Sequence, residues 1–98
     1  MKTKSFQIYD GSKIVDVIGY DVDEYCFIHH VTNQIKLKGN GWYVVDKKTG
    51  MFVAYGKTRT NALMKYKENY TKFIKLFDTK GYIIFCKRFK DLGGSNED

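Results

Sequence analysis

The apolar residues of this chain change their spacing once, at Gly56, and that change limits what the chain can fold into. Beyond it, Ala62, Leu63, Tyr66, Tyr70, Phe73, Ile74 and Phe77 recur at intervals of three and four, which places them on one face of a helix. Thr58 or Thr60 offers an N-cap to that helix and Gly81 a stop. Ahead of Gly56 the apolar runs are short and separated by turn clusters. Phe6, Ile8 and then Ile14, Val15, Val17, Ile18 lie on either side of Asp10-Gly11-Ser12, which reads as a β-hairpin. Trp42-Tyr43-Val44-Val45 and Met51-Phe52-Val53-Ala54-Tyr55 flank Asp46-Lys47-Lys48-Thr49-Gly50, a second hairpin with glycine where a bulge or left-handed residue belongs. Neither hairpin is stable alone, so the helix's apolar stripe is expected to lie on the sheet they form.

Two stretches are less constrained by spacing. Tyr82-Ile83-Ile84-Phe85-Cys86 reads as a final strand, with continuation of the helix as the alternative. Asp21 to Lys38 fits both periods: as a helix it stacks Val22, Cys26 and His29, and as a strand it alternates Tyr25, Phe27 and His29 with Cys26, Ile28 and His30. The helix is preferred because hairpin, Gly19 and Tyr20-Asp21-Val22-Asp23-Glu24-Tyr25-Cys26 parallel hairpin, Gly56 and Lys57-Thr58-Arg59-Thr60-Asn61-Ala62-Leu63, giving two ββα halves. The expected fold is α+β: a small antiparallel sheet of two hairpins plus a C-terminal strand, packed by one long helix and a second short one. Its 98 residues, 43% of them hydrophobic and 16% aromatic, suffice for one core. A single domain over 1–92 is expected, with Gly93-Gly94-Ser95-Asn96-Glu97-Asp98 as a disordered tail.

Charge narrows the class of partner. The net charge is +6, yet Lys57 to Lys90 carries ten basic residues against two acids, Glu68 and Asp78. Such a field attracts an anionic partner, whether nucleic acid or an acidic protein surface, although a solvated surface has the same composition. Cys26 and Cys86 form no CxxC pair, and Met-Lys-Thr-Lys-Ser has no apolar run to act as a secretion signal, so reduced thiols and a cytoplasmic location are expected. No run approaches the roughly 18 to 20 apolar residues of a membrane span.

The run Trp42 to Gly50, followed by Gly56-Lys57-Thr58-Arg59-Thr60-Asn61-Ala62-Leu63, resembles small proteins of Gram-positive phages and mobile elements. It is also similar to the ββα half of HicB-like antitoxin domains, where a Gly-x-Thr turn opens a helix with an Ala-Leu pair; Asn61 stands where that pattern has an acid. A second similarity is to the end of double-stranded RNA-binding domains, in which a basic turn, here Lys57 and Arg59, grips phosphate at a helix start. The phage resemblance implies an inhibitor or regulator of a host protein, such as an anti-CRISPR protein acting on a nucleic-acid-processing complex.

Cys26, His29 and His30 fall within one helical turn, and Cys86 would complete a Cys2His2 zinc set, but the spacing is permissive and a buried thiol with ordinary histidines is the expected outcome. Cys26 with His29 has no orienting third group, and Asp21, Asp23 and Glu24 suit a helix start. Neither enzyme activity nor a cofactor is expected. The expected binding residues are Lys57, Arg59, Lys65, Lys72, Lys87, Arg88 and Lys90, with Trp42 as stacking surface. The function expected is a phage-type, non-enzymatic binder of a host protein, with direct nucleic-acid binding through the basic half as the alternative.

Overall fold

The computed structural model describes residues 3–30 and 41–96. Five strands, β1 (Lys4–Tyr9), β2 (Ile14–Asp21), β3 (Cys26–His30), β4 (Trp42–Asp46) and β5 (Phe52–Gly56), pair antiparallel in chain order. Two helices follow, α1 (Arg59–Lys75) and α2 (Lys80–Asp91), joined by a 3-10 turn at Leu76–Asp78. The α+β class is as expected, and both hairpins form where the turn residues place them. The Asp10 carboxylate accepts from the Ser12 and Lys13 N–H groups at 2.9 Å, and Gly11 takes φ +101°. In the second hairpin Gly50 takes φ +67° and the β4–β5 register shifts between Val44 and Val45, as a bulge requires. The Thr58 hydroxyl caps α1 by accepting from Asn61 N–H at 3.1 Å.

Three expectations are corrected. Residues 21–30 hold no helix: β2 ends at Asp21 and Cys26–His30 is a strand, so the first half is not a ββα unit. The reason is that Cys26, Phe27, Ile28 and His29 are all at most 2% exposed. A strand covered on both faces loses its alternation, and without alternation spacing cannot distinguish it from a helix. The rest of the expected helix, 31–38, lies outside the described residues. Second, Tyr82–Cys86 is not a strand but the middle of α2. The Thr79 hydroxyl accepts from Tyr82 N–H at 3.3 Å, and Tyr82, Cys86 and Phe89 then recur along the inner side of the helix. Gly81 lies inside this helix, and the break after α1 is made by the 3-10 turn and extended Thr79.

Third, the C-terminal segment is tied down through Asn96, while 97–98 lie outside the described residues. The Asn96 side chain accepts from Gln7 N–H at 2.5 Å and donates to Gln7 C=O at 2.8 Å and Lys47 C=O at 3.1 Å. One side chain thus satisfies both backbone groups of Gln7 on the outer edge of β1, as a neighbouring strand would. Tyr9 N–H also donates to Gly50 C=O at 2.9 Å, so the sheet is rolled until its first strand meets the β4–β5 turn. Rolling encloses Phe6, Ile8, Val17, Phe27, Tyr43 and Val45 on the inner face, where Phe6 and Phe27 stack with centroids 4.2 Å apart. The outer face buries Cys26, Ile28, Val44 and Ala54 against Ala62, Tyr66 and Phe73 of α1. At Gly56 the strand passes so close to Ala62 that a Cβ would strike its backbone, which fixes where α1 leaves the sheet.

Asn96→Ala should destabilise the fold by about 1–3 kcal/mol, because it strands both Gln7 backbone groups at a partly buried edge. Urea unfolding measures this, and a midpoint equal to wild type would show that the clasp contributes nothing.

Candidate functional site

The described helices carry most of the cations that the sequence singles out, and they divide them among different surfaces. Lys65 and Lys72 are exposed and share one flank of α1, seven residues apart. Arg59 stands at the other flank, its guanidinium carbon 5.7 Å from the Tyr20 ring centroid. Lys57 is exposed in the turn before α1. Lys87, Arg88 and Lys90 are exposed on α2, where Arg88 and Lys90 occupy the last turn and complement the negative end of the helix dipole. Trp42 does not form an open stacking platform: it is half-buried against the outer core, with its ring 5.0 Å from His30.

The outward side of α2 combines charge with apolar surface. Ile83 and Ile84 are 57% and 56% exposed, and helical spacing sets them beside Lys80, Lys87 and Arg88. Phe85 is exposed as well, with the Arg88 guanidinium carbon 5.6 Å from its ring centroid, as are Leu76 in the 3-10 turn and Leu92 at the end of α2. Only Phe89 of α2 is fully buried. It packs against Gly50 and Gly94, where any side chain would collide with its ring. On the inner side Tyr82 reaches Asp46 and Cys86, and burial raises the pKa of all three. A groove of about 630 Å³ runs between the end of α2, including Lys90, and Lys47 and Lys48 of the β4–β5 turn.

Reading Tyr82–Cys86 as a final strand concealed the outward placing of these isoleucines on a helix. The signal that reveals them is Thr79 three residues ahead of Tyr82, followed by Tyr82, Cys86 and Phe89 at intervals of four and three.

The thiol and imidazole set is not assembled. On a strand, residues three apart face opposite ways, so Cys26 points to the outer core and His29 to the inner one. Burial pushes the Cys26 thiol up to about 12, far from the thiolate a nucleophile needs. Among the described residues no group of three or more His, Cys, Asp or Glu side chains is placed to hold a metal ion. His29 is fully buried between Phe27 and Tyr43, neither ring nitrogen has a hydrogen-bond partner among the described residues, and desolvation lowers its pKa to about 4.

No protein-family model, curated protein or solved structure matches this chain. Among the described residues no helix is long and apolar enough to cross a membrane.

The buried histidine yields a signed pH dependence. Once unfolded, it takes up a proton near its ordinary value of 6.5; folded, it does so only near 4. Between these values the unfolded chain binds more protons, so stability falls as pH drops, by about 2–3 kcal/mol from pH 7 to 4.5. Asp46, whose pKa is raised by burial, acts in the opposite sense and is present in both chains of a His29→Leu comparison. Urea midpoints across this range should fall for wild type and stay flatter for His29→Leu; parallel curves would contradict the assignment.

Proposed function

We propose that this chain is a non-enzymatic binding protein that docks an acidic, partly apolar protein surface through the outward face of α2. The observation that carries this reading is the exposure of Ile83 and Ile84 among Lys80, Lys87 and Arg88. Cations alone would serve a phosphate backbone equally well, but adjacent exposed isoleucines gain nothing from phosphate. They do gain from a protein partner, since apolar contact supplies the centre of such an interface and charges at its rim steer association. The resemblance of the Gly56-Lys57-Thr58 turn to small phage proteins agrees with an inhibitor or regulator of a host protein.

The test uses nuclease-treated bacterial lysate, identification of captured proteins by mass spectrometry, and reconstitution with the purified candidate. A complex that protects residues 80–92 from hydrogen exchange and weakens at least tenfold in Ile83→Asp/Ile84→Asp supports the proposal. Capture abolished by nuclease, or a complex indifferent to that double variant, would contradict it and direct attention to nucleic acid.

A further inference from the structure

A second feature, independent of α2, lies where the β2–β3 turn faces α1. A cavity of about 590 Å³ opens there, a size usual for small-molecule sites. Its walls are mostly apolar: Val22 and Ile28 on the sheet side, Leu63, Tyr66 and Tyr70 on the helix. Four charged side chains also line it, Asp21 and Asp23 on one wall and Arg59 and Lys67 on the other.

The two walls differ in how their charges are satisfied. The Asp21 carboxylate is paired with Lys4 Nζ at 2.8 Å and Lys47 Nζ at 2.7 Å, and the lysines hold its pKa below the ordinary carboxylate value. Asp23 accepts from Tyr25 N–H at 2.8 Å, Cys26 N–H at 2.9 Å and Tyr66 O–H at 2.7 Å. Both acids are therefore committed to the fold. The cations are not: among the described residues no carboxylate lies within ion-pair distance of Arg59 or Lys67. Arg59 is instead held over the Tyr20 ring, which leaves the edge of its guanidinium available.

We propose that this cavity binds a small amphipathic organic anion, its apolar body between Ile28, Leu63 and Tyr66 and its carboxylate or phosphate at Arg59 and Lys67. A neutral ligand would forgo the two unpaired cations. A cationic one would meet them with no free acid to compensate, because the aspartates are already engaged.

Three probes sharing one aromatic body separate these cases: naphthaleneacetate, naphthaleneethanol and naphthalenemethylamine, titrated into the full chain and followed by amide NMR shifts. Naphthaleneacetate should bind one per chain, shift signals confined to residues 20–28 and 59–70, and bind at least tenfold more tightly than the other two. Arg59→Gln/Lys67→Gln, both on exposed positions, should remove that preference. Lys65→Gln/Lys72→Gln takes the same charge from the opposite flank and should leave it intact. Equal binding of the three probes, shifts located elsewhere, no binding at millimolar concentration, or equal losses in the two double variants would each overturn the proposal.

Discussion

The structure depends on β3 being covered from both sides. Cys26 to His29 contributes side chains to two cores in succession, and neither core is complete without a second element. On the outer side α1 supplies Ala62, Tyr66 and Phe73. On the inner side no described helix covers the sheet; the sheet covers itself by rolling until Phe6 of β1 stacks on Phe27 across the intervening strand. The roll is held at its seam by Tyr9 N–H on Gly50 C=O and by the Asn96 side chain bridging Gln7 and Lys47. Burial of aromatic surface drives the curl, while a handful of hydrogen bonds at the rim fix where it stops.

How much of this could be read from the chain follows from the same physics. The two hairpins and α1 were legible because Asp10-Gly11, Thr49-Gly50 and Gly56-Lys57-Thr58 impose local geometry and the residues beyond them keep a clear period. The central strand was not, since burial on both faces makes Cys26-Phe27-Ile28-His29 uniformly inward and erases the alternation that identifies a strand. Tyr82–Cys86 misled in the opposite way: its run of apolar residues suggests burial, whereas Ile83, Ile84 and Phe85 face outward and only the spacing of Tyr82, Cys86 and Phe89 betrays the helix. Asn96 carried no local signal, because its partners lie 49 and 89 residues away. Of the residues proposed to bind, the cations were visible as composition. Their division between α1's two flanks and α2, and the placing of Arg59 and Lys67 on one cavity wall across from two aspartates engaged by the fold, exist only once the chain is folded.

The helical layer carries the two features proposed above to meet a ligand, and they differ in how firmly they are held. The cavity is framed by α1, which is fixed along the sheet by three buried side chains, so it is pre-formed. The α2 surface rests on one fully buried side chain, Phe89, and on the buried contacts of Tyr82. Such a lightly anchored helix opens at lower free-energy cost than the sheet, which suits an element that adjusts to a partner.

Native-state hydrogen exchange, read together with carbon chemical shifts, tests the two-sided burial of β3 most directly. The account requires extended-chain shifts through Cys26–His30, with Phe27 to His29 amides exchanging only on global unfolding and α2 amides exchanging earlier. Helical shifts across 21–30, or amides there that exchange as fast as those of α2, would contradict it.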